Sequence, residues 1–279
     1  MNADLRPTHP IEPMRPGLLA AQRNVAKRMV TMCSACDLRS ACSVAPLGAD
    51  WPARDERRPA RFTIVVPSPT PEDDKRQKLL SSKWGKAIRA AVNRVGRDFD
   101  LDMDDAAVVP AVSCPTINGG YRAPSIDEMR SCRRHLFTQL VAANAPYVLL
   151  IGAQSLAAFR NDLTIEWTRR NFYTWQHTFI VTAVHSPAAF THNPGLRRQW
   201  ESDLYAFMEQ VARDPRGVGS GLTLASDCGK CGPQNGGAVT WDRDGVGWCF
   251  KHKDMAKGAE KSDAYWRESR VDRQMELGL

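Results

Sequence analysis

Short apolar runs alternate with amphipathic stretches along this chain, and that alternation sets its class. Phe62–Val66, Ala106–Val112, Tyr147–Ile151 and Phe179–Val184 are apolar at nearly every position, the pattern of strands buried on both faces. Between them the spacing turns helical. Trp84–Val95 places Ile88, Ala91, Val92 and Val95 on one face, and Ile126–Asn144 is a long helix opened by Ser125 with Asp127 and Glu128 in its first turn, where a cap and acidic charge suit the helix dipole. Gln154–Phe159 and Pro194–Val211 complete the set, and a helix at Leu18–Met32 precedes it. A hairpin is predicted over Leu163–Trp175. The β-α repeat predicts a three-layer α/β/α domain around a central four-stranded parallel sheet. Ligands of such sheets bind at the carboxyl ends of the strands, here Pro67–Asp74, Ser113–Arg122, Gly152 and His185–Ala188.

Around this domain, residues 18–213, the pattern breaks down. Residues 1–17 hold four prolines and no periodicity, so they read as an extended arm. Residues 214–221, with one proline and three glycines, form a linker. A small module follows over residues 222–257, and residues 258–279 are a charged tail.

Composition narrows the partners. The 279 residues carry 38 Lys and Arg against 31 Asp and Glu, a formal charge of +7. A basic excess of this size favours a polyanion without requiring one. No apolar run reaches spanning length, and Met1–Pro16 has no apolar signal core, so a cytoplasmic monomer without membrane contact is expected.

The eight cysteines say more. Cys228-x2-Cys231 is followed after 17 residues by Cys249-x2-His252. Three thiolates and one imidazole at this spacing suit a closed tetrahedral zinc ribbon, with Val239 and Trp241 on one strand and Val246 and Trp248 on the return. A segment this short needs such a staple to fold. Cys33 and Cys36 have no second knuckle nearby, and their partners are Cys114 and Cys132, also 17 residues apart. Four such thiolates suit either a [4Fe–4S] cluster or a zinc ion; spacing alone does not choose.

The run Cys33-Ser-Ala-Cys36-Asp-Leu38-Arg39, followed by Gly48, resembles the opening of the family 4 (iron–sulfur) uracil-DNA glycosylases. The resemblance continues through Ala107–Cys114, Pro124–Cys132, Tyr147–Ala158 and Thr182–Phe190, covering roughly residues 30–212. It implies a [4Fe–4S] cluster on Cys33, Cys36, Cys114 and Cys132, with Cys42 left over as a buried or free thiol. The active-site motifs match less well. Where the family has Gly-Glu-Ala-Pro-Gly and then Glu-Asp, this chain has Val66-Pro67-Ser68-Pro69-Thr70 and then Glu72-Asp73-Asp74. The stacking segment Pro-Phe-Val-Gly aligns with Leu79-Leu80-Ser81-Ser82, and the uracil-reading asparagine with Pro110. The family's His-Pro-Ser appears as His185-Ser186-Pro187.

The resemblance thus implies a monofunctional DNA glycosylase that flips a base and leaves an abasic site, its specificity moved from uracil toward a modified base in repair or anti-phage defence. His185 is the expected donor to the departing base. Asp74 and Asp73 are the candidate acids, Ser68 and Asn118 line the base pocket, and Arg122, Arg197 and Arg198 meet phosphates. The competing reading is a catalytically inactive protein that keeps the scaffold and binds DNA or a partner.

Overall fold

The computed structural model describes residues 16–34, 36–52, 59–117, 121–169, 171–175, 179–213, 239–241 and 247–249. The chain divides into two compact units, residues 12–172 with 180–222, and residues 1–11, 173–179 and 223–279.

The larger unit is built on four parallel strands in the order β2-β1-β3-β5, namely β1 (Phe62–Val66), β2 (Ala106–Pro110), β3 (Tyr147–Ile151) and β5 (Phe179–Val184). Every residue of these strands is buried, which explains why nearly every position is apolar. Phe62 stands opposite Ala106 on one side and Tyr147 on the other, and Tyr147 opposite Ile180. The chain therefore starts the sheet in its middle, moves outward to β2 and returns past β1 to β3. That reversal opens a crevice at the carboxyl ends of β1 and β3.

Helices cover both faces. α1 (Pro16–Thr31) packs on α4 (Ile126–Ala143), and α4 on α5 (Gly152–Phe159). α3 (Lys83–Gly96) pairs with α7 (Leu196–Arg213), whose Phe207 meets Phe62 edge-on with ring centroids 5.7 Å apart. The expected three-layer α/β/α architecture is present. α4 opens on a capping box in which Ser125 Oγ accepts from Glu128 N at 3.2 Å while Ser125 N donates back to Glu128 at 2.7 Å. An ion pair, Arg169 Nε to the buried Asp203 Oδ2 at 2.7 Å, ties α7 to the segment before β5.

Three local features depart from the sequence pattern. β2 stops at Pro110, after which Ala111 N and Val112 N still donate to the carbonyls of Val66 and Pro67 at 2.8 and 3.0 Å. A six-residue helix, α2 (Pro71–Arg76), follows β1 directly. Among the described residues, the hairpin expected over Leu163–Trp175 is a strand only at Tyr173–Trp175. Its first half is a helical turn, α6 (Ile165–Thr168), capped by Thr164 Oγ1, which accepts from Trp167 N at 3.3 Å. Ile165 and Thr168 are its buried positions, so the alternation that suggested a strand is a cap followed by a pair at helical spacing.

In the smaller unit, β4 (Tyr173–Trp175) is extended, and β6 (Val239–Trp241) pairs antiparallel with β7 (Gly247–Cys249), Val239 opposite Cys249. Of the expected zinc ligands, Cys249 falls in β7, whereas Cys228, Cys231 and His252 lie outside the described residues. Among the described residues no helix is long and apolar enough to cross a membrane.

Gly85 sets the spacing between α3 and the loop before it. A Cβ there would stand 2.3 Å from the Leu80 Cα and 2.5 Å from its carbonyl carbon, and Leu80 is itself held at φ 57°. Neither backbone can yield cheaply. Gly85→Ala is expected to lower stability by about 1–3 kcal/mol, read as an earlier urea midpoint; an unchanged midpoint would show that the loop relaxes freely.

Candidate active site at the carboxyl ends of the strands

The loop leaving β1 is shaped by Asp73. Its Oδ2 accepts from Thr70 N at 2.9 Å while Thr70 Oγ1 accepts from Asp73 N at 3.2 Å, a capping box that starts α2. Its Oδ1 accepts from Ser81 N at 2.6 Å and Ser82 N at 3.3 Å. Ser82 Oγ in turn accepts from Gly85 N at 3.2 Å and caps α3. Next to it, Asp74 turns the other way and accepts from Ser43 N at 2.8 Å, joining α2 to the cysteine-bearing segment. Both carboxylates are buried and serve the backbone as acceptors.

Ser68, at the end of β1, is buried and lies 3.2 Å from Thr116 Oγ1 and 3.1 Å from the Tyr121 hydroxyl. Thr116 Oγ1 donates to the Arg122 carbonyl at 2.5 Å, and Arg122 N donates to the Thr116 carbonyl at 2.9 Å. With the bridge between Ile117 and Tyr121, these bonds close a narrow loop beside β1. Partial burial raises the pKa of the Tyr121 hydroxyl, its bond to Ser68 opposes the shift and the Asp73 charge adds to it. Asn118 lies outside the described residues.

On the other side of the crevice β3 runs straight into α5 through Gly152 at φ 84°, where a Cβ would stand 3.2 Å from that of Ser186. This close approach lets the end of β5 lie against the start of α5. There His185 presents Nε2 without a hydrogen-bond partner and shielded from solvent, with Glu166 Oε1 of α6 at 3.7 Å. A donor or acceptor so placed is costly unless something binds it. Ser186 Oγ accepts from Ala188 N at 3.4 Å and starts the 3₁₀ turn Pro187–Thr191.

The cysteines gather behind the loop. Cys114 and Cys132 are buried in a cluster with Leu38, Val112 and Met129, and Cys36 and Cys42 pack against it. Burial pushes the Cys132 thiol up to about 11, a bond from the Ser113 backbone opposes this, and the neighbouring Cys36 and Cys33 raise it further. Burial likewise raises Cys114. The Cys42 Sγ donates to the Leu38 carbonyl at 3.8 Å, and its pKa is raised by burial while contact with Cys114 opposes. Among the described residues no group of three His, Cys, Asp or Glu is arranged to hold a single metal ion. A cluster asks for less. Thiols from the end of α1, the end of β2 and the body of α4 that feel one another's charge form a donor set suited to a multi-iron group.

The expected phosphate ligands lie on two segments of the chain. Arg122 forms a fork with Glu128, Nη1 to Oε2 at 2.8 Å and Nη2 to Oε1, so its charge is partly neutralised. Arg197 and Arg198 are exposed at the start of α7, Arg197 lying 3.4 Å from Glu201. Tyr121 and Glu166 were not singled out by sequence. Neither stands in a motif, although the aromatic residue two positions past Gly119 was a signal available to read.

With this geometry in view, comparison with known proteins is informative. The chain is similar to type-4 uracil-DNA glycosylases. That of Saccharolobus solfataricus is 23% identical over 186 residues, covering 64% of this chain and 84% of the relative. The Sulfurisphaera tokodaii protein is 24% identical over 191 residues (66% and 82%), and the Archaeoglobus fulgidus protein 24% identical over 152 residues (52% and 73%). No family model matches the chain.

Asp73 collects three backbone N–H groups that would be stranded without it. Asp73→Ala is therefore expected to destabilise the protein by about 2–4 kcal/mol, measured by chemical unfolding. A variant with the parent's midpoint would show that its carboxylate is dispensable for folding.

Proposed function

We propose that the chain is a monofunctional DNA glycosylase that takes a base out of the helix into the crevice between the β1 and β5 ends. The observation that carries this reading is the unpartnered, solvent-shielded Nε2 of His185 at the end of β5, together with the likeness to type-4 uracil-DNA glycosylases. When the N-glycosidic bond breaks, its electron pair passes to the base nitrogen. Water then bonds to C1′ of the sugar, and a water proton ends on the base. His185 Nε2–H donates a hydrogen bond to the base as negative charge gathers there, a contact worth more in the transition state than before it. A buried site of this kind strengthens that bond because little water competes for it.

Asp73 and Asp74 fit a supporting role in this reading. Their carboxylates hold the loop that carries Ser68 and lend fixed negative charge to the side of the crevice where the sugar becomes cationic. Ser68 and Asn118 line the base pocket, and Arg122, Arg197 and Arg198 contact phosphates on the rim. Specificity has moved from uracil toward a modified base, consistent with Ser68, Pro110 and Leu79–Ser82 standing where the resembling family carries its own motif residues.

Cys33, Cys36, Cys114 and Cys132 hold a [4Fe–4S] cluster, which fastens the end of α1 to β2 and α4. The C-terminal module binds zinc through Cys228, Cys231, Cys249 and His252. A second reading, an inactive DNA-binding scaffold, is favoured by one observation: both buried acids already accept hydrogen bonds from the backbone, leaving neither carboxylate free of structural duty.

The two readings are separated by incubating the purified protein with duplexes carrying uracil, 5-hydroxymethyluracil or 5-hydroxymethylcytosine and scoring alkali-labile sites. An enzyme gives abasic sites, and His185→Ala lowers their rate by about 10²–10³-fold. Binding without a single abasic site on any substrate supports the scaffold. Anaerobically purified protein is expected to contain about four iron atoms and one zinc per chain; iron-free protein would remove the cluster from this account.

A further inference from the structure

Three hydroxyls at the end of β1 have their protons assigned by geometry. Each hydroxyl has one proton to donate. The carbonyl of Arg122, 2.5 Å from Thr116 Oγ1, can only accept, so the Thr116 proton is spent there. Ser68 must then donate to Thr116 across 3.2 Å. Its proton used, Ser68 can only accept from Tyr121 across 3.1 Å. The chain of donation runs in one direction: Tyr121 to Ser68 to Thr116 to the main chain.

The phenolic oxygen at the head of this chain has given up its proton but keeps a lone pair, and Ser68 is its hydrogen-bond partner among the described residues. The residue bridges two environments. Its hydroxyl reaches the buried Ser68 and feels the Asp73 carboxylate, while 48% of its surface remains open. It is held from both sides, by its backbone bridge to Ile117 and by the bonds of Arg122 to Thr116.

The geometry points to Tyr121 as a specificity-determining residue whose oxygen accepts a hydrogen bond from the base and so selects bases that turn an N–H toward the β1 end. This rests on the glycosylase reading and names its substrate class. An imide N–H, as in a pyrimidine-2,4-dione, or an exocyclic amine satisfies the oxygen. A base whose edge there is a carbonyl or an N-methyl group leaves that lone pair without a donor, which is how a polar site rejects a near-isostere. The fixed direction of the chain is what makes the oxygen selective, because a freely rotating hydroxyl would accept or donate as the base required.

The test uses the full chain and duplexes carrying uracil, 5-hydroxymethyluracil or 5-hydroxymethylcytosine, each beside an N-methylated counterpart (N3-methyl for the first two, N4,N4-dimethyl for the third). Binding and excision are both measured. The parent is expected to prefer at least one N–H-bearing base over its methylated counterpart. Tyr121→Phe keeps the ring, removes the oxygen and reduces that preference about tenfold, the worth of one neutral hydrogen bond. Ser68→Ala, which keeps the oxygen but frees its proton, reduces the preference as well. An undiminished preference in Tyr121→Phe overturns the role of Tyr121 and leaves the glycosylase reading standing. A parent that neither binds nor excises any of these bases above unmodified duplex overturns both.

Discussion

The carboxylate of Asp73 is the constraint on which the crevice depends. One oxygen starts α2 through Thr70, and the other gathers Ser81 and Ser82 at the entrance of α3. The chain leaving β1 is thereby turned twice within a dozen residues and brought back over the sheet. Asp74 extends the same logic toward the cysteines through Ser43. Two adjacent acids therefore anchor the start of α3 and the segment following Cys42, and the strand end between them is held fixed. A burial of this kind is tolerable only because several donors converge on the Asp73 side chain.

Rigidity on the β1 side meets close packing on the other. Gly152 lets α5 begin where β3 stops, near enough to Ser186 that a Cβ there would crowd its side chain. His185 is shielded rather than solvated, and its Nε2 is left without a hydrogen bond. The crevice is thus polar by design on both walls, hydroxyls near β1 and an imidazole near β5, with apolar strands beneath. A ligand with a ring-shaped polar edge suits such walls better than a flexible or purely apolar one.

Much of this was legible from the sequence because burial on both faces leaves a plain mark. Phe62–Val66, Tyr147–Ile151 and Phe179–Val184 were read to the residue, each being an apolar run stopped by a turn former or polar group. α2 was not. Pro-Glu-Asp-Asp-Lys-Arg has no apolar period, and its helix exists because Thr70 and Asp73 cap it and the flanking loops accept it. The first half of Leu163–Trp175 was misread since Thr-Ile-Glu-Trp-Thr alternates like a strand while obeying helical spacing. Within the site, His185 stood in a motif and could be named, whereas Tyr121 sits in a glycine-rich loop. Its meaning arises from Ser68, some fifty positions earlier in the chain, and such pairings are set by the fold and not by neighbours in sequence.

The central position of β1 has a consequence for how the molecule is made. Phe62–Val66 leaves the ribosome with both of its edges bare, and its partners are Ala106–Pro110 and Tyr147–Ile151. Until the second of these has been synthesised, a five-residue strand whose only polar side chain is Thr63 must wait with unpaired backbone groups on at least one side. Such a segment invites pairing with another nascent chain. The basic, proline-containing stretch Arg54–Arg61 immediately before it supplies the charge and the backbone break that discourage that encounter.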